Sequence, residues 1–314
     1  MFQPFSLIHA PREVVVMLLS IVCVLLIFSL FFYFLSRSNK AKNFSGVLTK
    51  IKSWWMMVAI IYFFLLNREL TFIGLALLSL VSLRELLLQL KRRPSDRFSV
   101  IVAFSFIPLQ YLAIYFGYRE LSLILIPGFL FLILPFVTML SGNTKGLIFA
   151  NATLLWSVMI CVYGVSHLAM LLSLPAIKNF SAGNLGLLLF LLFVTQFNDV
   201  LQFCFGKALG KKKIIPLISP NKTWEGFLGG FFSSIIVAYL FSFLTFFSWW
   251  QAVLMGAILS FSGFAGDLNI SAIKRDLEVK DLGTTIDGHG GILDRIDSLT
   301  YTAIIFYHLV NFWR

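Results

Sequence analysis

The chain has 314 residues, of which 59% are hydrophobic and 12% charged, with Phe at 35 positions and a formal net charge of +11. Soluble domains carry about 25% charged residues, so this composition excludes a soluble enzyme, a disordered chain and a secreted disulfide scaffold. It leaves an all-α, polytopic integral membrane protein: lipid admits only helices or closed barrels, and these apolar runs are continuous, unlike the alternating strands of a barrel.

Ten apolar segments are expected to be helical. In chain order they are Val14–Leu35, Trp54–Leu66, Leu70–Leu83, Ser99–Gly117, Leu121–Ser141, Leu147–Leu174, Leu185–Phe205, Gly226–Trp249, Ala252–Ile270 and Leu299–Trp313. The first has the roughly 20 apolar residues that a crossing needs and is preceded by a single basic residue, Arg12, so it reads as a span and not a cleaved leader. The second and third are short, and Asn67-Arg68-Glu69 stands between them. They could form a hairpin or one interrupted helix.

Charge decides between those two. Cytoplasmic loops collect Lys and Arg. With ten crossings and the N-terminus outside, the inner loops hold 20 of the 25 basic residues, and only Arg12, Arg68, Arg119, Lys178 and Arg314 lie outside. A merged helix would put Arg92-Arg93 on the opposite side from Lys40. The hairpin is therefore expected. The positive charge needs no nucleic-acid partner, because juxtamembrane basic residues face anionic lipid. Cys23, Cys161 and Cys204 lie in apolar stretches without ligand spacing and read as packing residues.

The acidic residues are distributed differently, with nine of the 14 falling between Asp199 and Asp297. Three regions follow: residues 1–98, membrane segments with basic loops; 99–184, middle membrane helices; and 185–314, where the polar chemistry sits. No separate soluble domain or internal repeat is visible.

Within the last region, Asp267 ends an apolar segment, where a carboxylate should be paired or bound to a cation. On a continuing helix Asp267, Ser271, Lys274 and Glu278 would share one face. Then comes Gly288-His289-Gly290-Gly291, whose glycines let a backbone approach a ligand closely. Asp294 and Asp297 follow at i, i+3. Three carboxylates among Lys274, Arg275, Lys280 and Arg295 offer the oxygen ligands a hard cation needs, and Mg²⁺ takes one or two of these plus substrate phosphates. The blander reading has Asp294 capping the last helix, with the charges forming a solvated interfacial loop.

A second polar island holds Asp199, Gly206-Lys207, Lys211–Lys213 and Ser219-Pro220-Asn221-Lys222-Thr223-Trp224-Glu225-Gly226. Lys and Ser/Thr beside a helix start can hold a phosphate. The alternatives are a topology anchor for the lysine run and a turn plus helix cap for Ser219–Gly226. The expected topology puts both islands on the cytoplasmic face.

These residues resemble a known pattern. Ser271-x-x-Lys274-Arg275-x4-Lys280-Asp281-x-Gly283, followed by His289-Gly290-Gly291-x-x-Asp294-Arg295-x-Asp297, resembles the signature of the phosphatidate cytidylyltransferases (CDP-diacylglycerol synthases). Ser219-Pro220-x-Lys222-Thr223-Trp224-Glu225-Gly226 with Gly229-Gly230 is similar to the family's second block, and Asp199 with Gly206-Lys207 to its third. Asp287, Asn221 and Val200-Leu201-Gln202 depart from the usual pattern and mark a divergent member.

The resemblance implies cytidylyl transfer from CTP to phosphatidate, giving CDP-diacylglycerol and pyrophosphate in phospholipid biosynthesis. It implies Mg²⁺, with a second cation beside it, held by Asp267, Asp294, Asp297 and Asp199. Lys274, Arg275, His289 and Asp294 are assigned to the transfer step. Ser219, Lys222, Thr223, Ser271, Lys280, Gly290, Gly291 and Arg295 are assigned to substrate binding. The expected setting is a bacterial inner membrane with the site facing the cytoplasm, and such a fold is compatible with a homodimer. Three other readings stay open: transfer to another lipid phosphate, a CTP-dependent lipid kinase, and a non-enzymatic lipid transporter, the last suggested by Asp199 and Gln202 inside an apolar segment.

Overall fold

The computed structural model describes residues 10–38, 45–91, 93–178, 180–285 and 290–314. Among them the chain is helical with no named strand, and Lys213 and Thr223 form an isolated bridge. The expected all-helical architecture is observed.

The helices follow the apolar segments. α1 spans Arg12–Ser38, α2 Ser45–Phe64 and α3 Arg68–Gln89. The break between α2 and α3 falls at the polar triplet, where Asn67 Oδ1 accepts from Leu70 N at 2.9 Å and caps α3. The two short segments are thus two separate helices. α4 spans Arg97–Tyr115. α5 (Arg119–Ile124) and α6 (Phe131–Met139) form one rod through a π-helical stretch containing Pro127. Proline lacks an amide donor, so the wider turn accommodates it. α7 (Leu147–Val158) and α8 (Val165–Leu172) form a second such rod. α9 spans Gly183–Leu209, α10 Trp224–Leu240, α11 Trp249–Asp276, α12 Leu293–Ile296 and α13 Leu299–Trp313. Among the described residues, six rods are long and apolar enough to cross a membrane: α3, α4, α5–α6, α7–α8, α9 and α11.

α8 is buried along its whole length, with α3, α4, α9 and α13 packed around it. α9, α10 and α11 form a second tight group. Glycines set their spacing, since a Cβ on Gly226 would lie 2.7 Å from Gln202 O and 2.9 Å from Gly206 Cα. Small residues let helix backbones approach closely where lipid supplies no hydrophobic drive. At the centre of this group the buried Asn198 Oδ1 accepts from Ser234 Oγ (3.1 Å), Ser260 Oγ (2.6 Å) and Gln202 Nε2 (3.0 Å), tying all three helices together.

Contacts collect the functional loops at one end of the bundle. Arg93 pairs with Asp96 and donates to Asn143 O at 3.2 Å, joining the α3–α4 and α6–α7 loops. Gln89 Nε2 donates to Leu282 O at 3.1 Å, and Arg275 Nε to Ile218 O at 3.1 Å.

Candidate functional site

The last turns of α11 carry the first part of the site. Asp267, Ser271 and Lys274 share one face, and Ser271 Oγ donates to Asp267 Oδ1 at 3.2 Å. The expected extension of that face to Glu278 is corrected: α11 ends at Asp276, and Glu278 takes a left-handed φ of 57°. The amides of Glu278 and Val279 turn back onto Arg275 O and Lys274 O at 3.1 and 2.9 Å. That pattern closes a helix at a position usually given to glycine.

The α9–α10 connection delivers the second part. Ile214 N donates to Lys222 O at 3.1 Å and Trp224 N to Lys212 O at 2.9 Å, forming a narrow turn. Thr223 Oγ1 accepts from Gly226 N at 3.1 Å and caps α10, so the turn-plus-cap reading holds for Thr223. Glu225 accepts the backbone amides of Lys211 and Lys212 at 3.0 and 3.2 Å, while the lysine side chains stay exposed. The same turn aims Lys222 inward. Its Nζ lies 2.7 Å from Asp267 Oδ2 and 4.5 Å from the centre of the Phe264 ring. The two polar islands therefore meet at this ion pair.

The third part is the stretch from Leu282 to Asp294. Lys274 Nζ donates to Asp294 Oδ1 at 3.0 Å. Asp294 Oδ2 accepts from Leu282 N at 2.9 Å and Gly291 N at 3.0 Å. Its side chain is 1% exposed, against 29% for Asp267. Asp294 is a buried anchor and not part of a solvated loop. Gly290 takes a φ of +86°, a conformation natural to glycine. His289 and Asp287 lie outside the described residues.

Asp199 and Asp297 complete the acidic group. Ser298 Oγ donates to Asp199 Oδ1 at 3.1 Å. A Cβ on Gly266 would stand 2.7 Å from Asp297 O, so this glycine lets the α12–α13 junction close onto α11 beside Asp267. Burial raises the Asp297 carboxyl well above the usual carboxylate range, and the charges of Asp267 and Asp199 raise it further. Three carboxylates act on one another here, facing Lys222 and Lys274. That surplus of negative charge and hard oxygen donors fits a divalent cation. Among the described residues no three His, Cys, Asp or Glu side chains form a ready-made metal cage. An ion here would take substrate phosphates as further ligands, the usual habit of Mg²⁺.

The remaining expected residues are peripheral. Ser219 is half-buried, and Arg275, Lys280 and Arg295 are exposed around the same end. Sequence reasoning passed over Glu85 on α3 and the Asn198 hub. Glu85 is buried and accepts from Ile292 N at 3.1 Å, Leu293 N at 3.0 Å and Thr285 Oγ1. The third apolar segment read from the sequence ends at Leu83, so Glu85 fell just beyond it beside Arg84, and only the extension of α3 to Gln89 brings it into the bundle.

A model described as the cytidylyltransferase family matches residues 48–313. The uncharacterised protein YnbB of Escherichia coli (strain K12) is 37% identical over 275 residues, covering 85% of this chain and 88% of that protein. A phosphatidate cytidylyltransferase of Staphylococcus haemolyticus (strain JCSC1435) is 44% identical over 116 residues, 36% of this chain and 45% of that protein. One of Chlamydia muridarum (strain MoPn / Nigg) is 40% identical over 129 residues, 39% of this chain and 42% of that protein. The chain thus aligns with less than half the length of either phosphatidate cytidylyltransferase.

Proposed function

The chain belongs to the cytidylyltransferase family, and we propose that it transfers the cytidylyl group of CTP to a membrane lipid phosphate, phosphatidate foremost. In that reaction an oxygen of the lipid phosphate attacks the α-phosphorus of CTP. The bond to the β-phosphate breaks and pyrophosphate leaves, so CDP-diacylglycerol is the lipid product. A phosphate monoester is already ionised near neutral pH, so no general base is required. The difficulty is electrostatic, since an anion approaches a polyanion, and positioning with charge neutralisation supplies the rate.

One observation supports this most strongly. Lys222 and Lys274, from separate polar islands, converge on one end of the bundle, each held by its own carboxylate. Lys222 and Lys274 would exchange part of those contacts for phosphate oxygens, with exposed Arg275, Lys280 and Arg295 drawing CTP in. Ser219 and Ser271 offer hydroxyls along the same edge. Asp267, Asp199 and Asp297 would hold Mg²⁺, which when bound neutralises phosphate charge and orients the leaving group. The setting we propose is ten crossings of a bacterial inner membrane with the site at the cytoplasmic face. The lipid then stays in its leaflet while CTP arrives from solution.

Purified protein supplied with α-labelled CTP, phosphatidate and Mg²⁺ should give labelled lipid and free pyrophosphate, and EDTA should abolish both. Release of CDP with phosphorylated lipid would mark phosphoryl transfer and overturn the reading. So would lipid movement in liposomes with no CTP consumed.

A further inference from the structure

Glu85 lies in the amino-terminal half, on a helix whose sequence reads as plain membrane span, yet among the described residues its hydrogen bonds all go to the carboxy-terminal site. Its two oxygens accept from Ile292 N, Leu293 N and the Thr285 hydroxyl, residues about 200 positions downstream. Two motif glycines are shaped around it. A Cβ on Gly283 would stand 2.4 Å from Glu85 Oε1, and one on Gly291 would stand 2.7 Å from Glu85 Oε2. One turn further along, Gln89 holds Leu282 O. Asp294 takes the amides of Leu282 and Gly291 from the other side. The described residues on the approach to Asp294 are thus held by two carboxylates, one of them from α3.

We propose that Glu85 is a positioning residue of the transfer site: it sets Gly283–Thr285 and Gly290–Asp294, and through them the Lys274–Asp294 pair, for the nucleotide. The glycines at 283 and 291 are small because the Glu85 carboxylate occupies the space beside them. The proposal rests on the cytidylyl-transfer reading for its kinetics and on the geometry alone for its structural half.

The test uses the full-length protein in detergent with Glu85→Gln, which keeps the shape but turns an amide group toward two N–H donors. Loss of charge-assisted bonds of this kind should raise KM for CTP about tenfold, with KM for phosphatidate unchanged. Hydrogen–deuterium exchange at Ile292 and Leu293 should quicken, while α9 and α10 exchange as before. Gly283→Ala should impair the wild-type background strongly and add little in Glu85→Ala, because the clash partner is gone. A fall in kcat at constant KM, unchanged exchange at 292–293, or additive Gly283 and Glu85 effects would overturn the positioning role. An inactive wild type would instead overturn the cytidylyl-transfer reading, while the exchange measurement would still decide the clamp.

Discussion

Asp294 and Asp267 each hold one lysine at the same end of the bundle, but their surroundings differ. Asp294 is 1% exposed and its oxygens take three donors, Lys274 and two backbone amides. Asp267 is 29% exposed and, among the described residues, its carboxylate pairs with Lys222 and accepts from Ser271. A carboxylate that is fully engaged and dry organises the protein. One that is partly open keeps coordination capacity for something that arrives later. The acidic cluster thus divides into a framework part and a working part.

The largest expected effect breaks the framework. Asp294→Asn removes the counter-charge of the half-buried Lys274 and turns an amide group toward backbone N–H donors. It should cost about 3–5 kcal/mol of stability and eliminate transfer, read as a lower melting midpoint together with lost labelling. Next, Asp267→Asn should reduce CMP transfer about a hundredfold, a loss typical of removing one charge-stabilising group. Its melting midpoint should stay close to wild type. The reverse pattern, with Asp267→Asn unfolding and Asp294→Asn merely slow, would erase the distinction drawn here. Third, Gly226→Ala forces α10 away from α9 and should cost about 2 kcal/mol by overpacking, measured by thermal unfolding in detergent. Smallest, Arg275→Ala gives up one exposed bond to Ile218 O. It should change KM for CTP by about twofold, as expected for a solvent-screened contact.

Much of this was readable beforehand because the signals are local. Hydrophobic runs gave the helices, Ser219–Gly226 was readable as a turn plus helix cap, and i, i+4, i+7 spacing placed Asp267, Ser271 and Lys274 together. The end of α11 was not readable, since a glutamate fills the left-handed position where glycine would have marked the stop. Nor was the part played by Glu85, whose partners lie two hundred residues away and are mostly backbone amides that no motif displays. The division between Asp294 and Asp267 also escaped the sequence. Asp267 ends one apolar run and Asp294 precedes another, and only the packing around them separates their duties.

α11 has 28 residues, about 42 Å at 1.5 Å per residue, against a hydrocarbon slab of about 30 Å. In the proposed setting, with Trp249 at one face of the slab, the apolar thickness would be used up close to Asp267, and the remaining turns would lift Ser271 and Lys274 to headgroup depth. Bilayer thickness thereby becomes a control on the chemistry. Vesicles of long-chain lipids should submerge the lysine end and slow turnover, and thinner ones should leave it level with the phosphates it is built to meet.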